Sequence, residues 1–178
     1  MPEQQKPEPW LRGTLADVAA VPRAVLHALE LAREDIALWC GGLSDDELSA
    51  RPAGIAPVAF HIRHIGRSID RLLTYAEGSQ LAPTQLDAMK QELDAGAESK
   101  ALFAEFNAAM DRASARVRAI DINDLERPRK VGRKELPTTI GGLLVHVADH
   151  TQRHVGQAVT TTKIVMAARA GAKAWIIR

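Results

Sequence analysis

Residues 140–170 read IGGLLVHVADHTQRHVGQAVTTTKIVMAARA, and the spacing inside this stretch decides the fold. With Ile140 as origin and about 100° per residue, Leu144, Val147, Val155, Ala158 and Val165 form one apolar stripe centred near the origin. Thr138 or Thr139 can cap the start and Gly171 can end it, giving one long amphipathic helix. Such a stripe is buried only when other helices cover it.

Those helices lie upstream. From Leu15 to Cys40 apolar residues recur at helical spacing, and Gly41-Gly42 supplies a stop. Pro22 lies inside this run and predicts that the regular helix starts at or just after it. LSDDELSARPAGIAP is a connector with one helical turn capped by Ser44, after which a second helix is predicted from Pro57 to Glu77, closed by Gly78. Thr84 to Ile120 is rich in strong helix formers and makes a third helix, in one piece or in two, with an irregularity near Gly96. Residues 121–137 (DINDLERPRKVGRKELP) are polar and broken by Pro128, Gly132 and Pro137, so they predict a long functional or crossover loop. No stretch alternates convincingly enough to be a strand. The expected fold is therefore all-α, a four-helix bundle with a long crossover between helices three and four. Residues 1–12, interrupted by Pro2, Pro7 and Pro9, are read as a flexible arm, and 13–178 as a single domain.

Charge and composition remove several function classes. With 23 basic and 22 acidic residues there is no electrostatic footprint for nucleic acid. No run approaches the ~20 apolar residues that span a bilayer, and the N-terminus carries no apolar run behind its charges. The expectation is a cytoplasmic protein with no nucleic-acid or membrane partner. The lone Cys40, in ALWCGGL, is better suited to a helix end in the core than to nucleophilic chemistry.

Five of the six histidines fall in two clusters, His61 and His64 on helix two and His146, His150 and His154 on helix four. Residues four apart stand one turn above each other, so His150 and His154 can aim both imidazoles at one point. From the stripe centre His154 lies about 40° away, His150 about 80° and His146 about 120°. His146 is thus placed for a supporting contact, and His27 for a structural hydrogen bond. On helix two the same wheel puts His61 nearer the core than His64, and both stay open as the third ligand. His64, Ser68, Arg71 and Tyr75 form a polar column there, the lining of a cavity. Buried imidazoles without a metal or other partners leave costly unsatisfied polar atoms, which argues for one divalent metal ion. An all-nitrogen set suits zinc, nickel, iron or copper.

HVADHTQRHVGQ, together with FHIRHIGRSIDRLLTYAEG, resembles the DinB/YfiT-like superfamily of metal-dependent proteins; WLRGTL, LSDDELSARPAG and KELPTTIGGLLVHVADH extend the likeness to a bacterial branch over most of the chain. The resemblance implies a four-helix bundle, often a homodimer, with a metal on three histidines. Carried over by motif, the ligands are His64, from HIGRS, and His150 and His154 from the last helix. His61 is the rival to His64. The apolar AWIIR at the end of the chain, residues 174–178, is a second reason to expect a homodimer.

Three histidines leave a coordination position open, the arrangement of a catalytic metal. Hydrolysis would call for a carboxylate base, and neither Asp70 nor Asp149 faces the core. The superfamily includes thiol-dependent S-transferases, so the leading expectation is a metal-dependent enzyme using a low-molecular-weight thiol on a small-molecule substrate, with zinc or nickel first among the metals. Arg71, Tyr75 and Arg153 are candidates to hold an anionic group, and Gln157 to hydrogen-bond a ligand imidazole. The alternatives are a metal-dependent hydrolase and a non-catalytic metal-binding or stress-response bundle.

Overall fold

The computed structural model describes residues 6–94, 96 and 98–169. Four long helices account for most of them: α1 (Ala20–Cys40), α3 (Val58–Ala76), α5 (Ser99–Ala119) and α6 (Ile140–Arg169). Two short ones, α2 (Asp45–Ser49) and α4 (Pro83–Lys90), lie in the connections. The long helices pack as a ring of neighbours, α1 on α6, α6 on α3, α3 on α5 and α5 on α1. The chain therefore passes between diagonal partners twice, from α1 to α3 and from α5 to α6. The all-α class is as the sequence predicts, and no described helix is long and apolar enough to cross a membrane.

The core follows the periodicity. On α3 Val58, Ile62, Ile65, Ile69 and Leu73 are buried, at the three- and four-residue steps of one helix face. On α6 Ile140, Leu144, Val147, Val155, Ala158 and Val165 repeat the pattern. Each such side chain contributes roughly 1.5–3 kcal/mol by leaving water. Thr139 Oγ1 accepts from Gly142 N at 3.0 Å and so caps α6. Ser44 and Glu47 form a reciprocal capping box on α2. Cys40 is fully buried and meets Thr162 Oγ1 at 3.3 Å, and burial raises its thiol pKa, so it is a packing residue. His27 is buried against Thr14 Oγ1 at 3.1 Å.

Two details differ from the sequence reading, the start of α1 and the 121–137 segment, and a third agrees with it. Helix α1 begins at Ala20, two residues before Pro22. A proline in the first turn removes no hydrogen bond, because the first four N–H groups have no partner within the helix. The third predicted helix is in two pieces, α4 and α5, with the break at the expected irregularity around Gly96, whose φ is +85°. The 121–137 segment is not all loop: β1 (Pro128–Val131) and β2 (Leu136–Thr139) pair antiparallel, with Val131 opposite Leu136. Tertiary contacts hold this hairpin, since Arg129 Nε donates to Ala76 O at 2.7 Å and Val131 packs against Tyr75, Ala76 and Leu143. AWIIR lies outside the described residues.

Gly66 marks a close approach of α3 to α5, for a β-carbon there would stand 3.0 Å from Ala109 Cβ. Gly66→Ala is expected to be nearly neutral, because the ~1 kcal/mol gained in helix propensity offsets a small compression. Gly66→Leu has no such outlet and is expected to cost about 1–3 kcal/mol. Denaturant midpoints of the two variants check this, and equal midpoints would exclude the close approach.

Candidate metal centre

Helices α3 and α6 bring four of the histidines together. His64, His150 and His154 each offer a ring nitrogen, all within 4.8 Å of one another. Their ring centroids are 4.3 Å (His64–His154), 4.6 Å (His150–His154) and 5.0 Å (His64–His150) apart. His61 stands beside this trio: its Nδ1 meets His154 Nδ1 at 3.1 Å. The helical wheel ranks burial correctly, since His61 is 5% exposed, while the His64 side chain is 18% exposed. The trio is nevertheless built from the less buried of the two.

Hydrogen-bond partners assign two of the tautomers. His64 Nδ1 donates to Glu92 Oε2 at 2.6 Å. Ser68 Oγ spends its one proton on Ile65 O at 3.1 Å, so it accepts from His150 Nδ1 at 3.4 Å. With both rings neutral, the form that binds a metal, the two Nε2 atoms are bare acceptors, and they face each other at 3.4 Å. Two neutral acceptors at this distance repel unless a proton or a metal ion lies between them. Two nitrogens at about 2.05 Å from a tetrahedral ion stand roughly 3.3 Å apart, so the spacing suits a metal bound between them. His154 Nδ1 and His61 Nδ1 share one proton, and in the tautomer in which His154 donates, its Nε2 is likewise free to bind.

Glu92 is the residue that sequence reasoning missed. It follows α4 in an irregular segment, is 4% exposed, and accepts from His64 through Oε2 and from Arg71 through Oε1, the latter at 2.6 Å. Burial opposes its ionisation, but the bonds from His64 and Arg71 prevail and hold its pKa below the usual value. A carboxylate behind a ligand histidine fixes the ring and its tautomer and makes the inner nitrogen more basic. No periodicity marks Glu92, and its only sequence-level clue is an arginine, Arg71, one helix away. Phe60 stacks on the His64 ring, centroids 5.3 Å apart at 24°, and restrains it further.

The other candidates are distributed around this trio. His146 is half exposed at the rim, its ring 5.3 Å from that of His150. Asp149 pairs with Arg153, and Asp70 with Arg116 and Gln85, so both carboxylates lie on surface networks as expected. A cavity of about 580 Å³ opens on His64 and His150, lined also by Ser68, Arg71, Leu72, Tyr75 and His146 and covered by α4 and the hairpin turn. A second, of about 650 Å³, lies on the His61 side with Arg153 and Gln157. Gln157 makes no hydrogen bond to an imidazole among the described residues. It faces that second cavity.

Burial first, and neighbouring imidazoles next, push His61, His150 and His154 down to about 4. In an unfolded chain these groups titrate near ~6.5. Between those values the unfolded chain takes up protons that the folded one refuses, so their stabilisation is complete above pH ~6.5 and is lost as pH falls towards 4. The denaturation midpoint of metal-free protein is expected to fall steadily from pH 7 to pH 5. A flat profile would contradict the assignment.

The DinB superfamily matches the chain over residues 28–158, a span that contains all the histidines of the centre and Glu92, and the chain belongs to that superfamily. No curated protein matches it.

Proposed function

We propose that this protein is a metal-dependent enzyme that binds one divalent transition metal, zinc or nickel first, on His64, His150 and His154, and transfers a low-molecular-weight thiol to a small electrophile. The observation that carries the metal is the pair of bare Nε2 acceptors facing at 3.4 Å, each fixed by a partner on its other nitrogen. Three neutral histidines leave a position open, and a divalent ion so held deprotonates a thiol or a water bound there.

Glu92 favours the thiol. It is the one buried carboxylate at the centre among the described residues, and both its oxygens are occupied, by His64 and Arg71, so it is not free to take a proton from water. A thiolate needs no such base once formed. In the transfer the new C–S bond forms as the electrophile's leaving group departs, and the thiol proton leaves with that group. The cavity, at about 580 Å³, is of ordinary size for a small-molecule site. A homodimer in the cytoplasm is the expected setting.

The test is zinc- or nickel-loaded protein offered glutathione, mycothiol and bacillithiol, each with a panel of electrophiles, with thioether products read by mass spectrometry. Thiol-dependent product that disappears in metal-free protein supports the reading. Cleavage of simple esters or amides with no thiol requirement would replace it with hydrolysis, and metal binding without either activity would leave a non-catalytic bundle.

A further inference from the structure

We propose that the cavity over His64 and His150 takes an amphipathic organic anion, with its apolar body against Leu72, Leu81, Leu86 and Met89 and its acid group at Arg133. The placement of the reacting end rests on the metal-centre reading above; the recognition of the anion does not.

The lining sets the charge of the ligand. No acidic side chain lines this cavity among the described residues, whereas Arg71 and Arg133 both do. Arg71 is already neutralised by the buried carboxylate of Glu92. Arg133 and Lys134, in the turn, have no such partner among the described residues, and of the two only Arg133 lines the cavity. On the same hairpin and its approach, Arg127 pairs with Asp121 and Asp124, Lys130 with Glu135, and Arg129 with the Ala76 carbonyl. Arg133 has no hydrogen bond or ion pair to any described residue, and it sits in the turn between β1 and β2 where the hairpin overhangs the cavity. With its base docked through Arg129 and Val131, the hairpin keeps the turn that carries the exposed Arg133 over the cavity mouth. An anion arriving here meets a positive group at the mouth and no opposing carboxylate.

The rest of the lining sets the body. Met89 is 44% exposed, although apolar, and with Leu72, Leu81 and Leu86 it makes an uncovered apolar wall. Helix α4 is anchored in that position by Gln85, which donates to Asp70 at 2.5 Å and to Thr74 at 2.9 Å. A ligand with a short alkyl or aryl body fits the wall, and one that is polar throughout would leave it wet.

The probes are octanoate and its neutral counterpart octanamide, titrated calorimetrically into wild-type, Arg133→Gln and Arg133→Lys protein, each metal-free and zinc-loaded. Metal-free wild-type protein is expected to prefer octanoate by about five- to ten-fold. Arg133→Gln should erase that preference and Arg133→Lys keep most of it, with zinc content the same in all three. Equal affinity for the two probes on metal-free protein, or a preference that survives in Arg133→Gln, overturns the proposal. A preference seen only with zinc and indifferent to Arg133 places the acid group on the metal, which sinks the anion site and leaves the metal centre standing. An Arg133-dependent preference in protein that takes up no zinc when loaded keeps the anion site and sinks the metal centre.

Discussion

His150→Ala is expected to strip the metal from the protein while leaving the metal-free fold intact. Zinc held by about four ligands is bound by roughly 10–16 kcal/mol, so one ligand accounts for about 3 kcal/mol and its loss weakens binding by more than ~100-fold. Elemental analysis of untagged, dialysed protein should fall from near one ion per chain to a small fraction. The metal-free variant is expected to melt at or above the metal-free parent. With both imidazoles neutral, His150 presents a bare Nε2 to another at 3.4 Å, and removing one of two opposed acceptors relieves that contact. A shared loss of metal and of metal-free stability would mean instead that the imidazole holds the bundle together.

The neighbouring histidines turn this into a test of the ligand set. His146, half exposed at the rim, should be replaceable by alanine with metal content unchanged. His61→Ala removes the hydrogen-bond partner of His154 and is expected to lower metal affinity by about ten-fold, the usual effect of losing a supporting group. If His61→Ala empties the site as thoroughly as His150→Ala, while His64→Ala does not, His61 is the third ligand.

How much of this was legible beforehand differs by residue, and the differences have physical causes. His150 and His154 could be paired from spacing alone, because one helical turn fixes their relation whatever the rest of the fold does. His64 could not. A wheel reports depth relative to the core, and His61 is indeed deeper; but the trio forms at the edge of the α3–α6 seam, beside a cavity, so the shallower residue carries it. The resemblance to the DinB-like family chose His64 where geometry leaned the other way. Helix existence was readable from apolar periodicity, and even the break near Gly96 was visible. The hairpin was not. Two prolines and a polar composition give 128–139 no intrinsic preference for strands, and it pairs because Arg129 and Val131 dock it on α3 and α6. Glu92 was unreadable for the same reason, since only tertiary contacts give its segment a conformation.

Glu92 also carries the second large effect, and its substitutions separate stability from coordination. With side chains only 12% and 6% exposed, Arg71 and Glu92 form a buried ion pair. Glu92→Ala leaves the guanidinium buried without its counter-charge, which costs about 3–5 kcal/mol. It also frees the His64 ring, so metal affinity should fall by about 10- to 100-fold. Glu92→Gln keeps the volume and divides these effects. An amide has one oxygen to accept and an NH₂ group to donate, while His64 Nδ1 and Arg71 are both donors. Only one of them can be satisfied, and the guanidinium, with the stronger charge, should win the oxygen. The amide NH₂ then faces His64 Nδ1 and forces the ring to present an acceptor there, which moves its proton to Nε2, the atom that faces His150. Glu92→Gln is therefore expected to retain much of the stability lost in Glu92→Ala yet bind zinc at least as poorly. Thermal melts of metal-free protein and competition titrations against a chelator read the two effects separately. If Glu92→Gln binds zinc like the parent, the carboxylate does not set the His64 tautomer and its role is confined to the ion pair with Arg71.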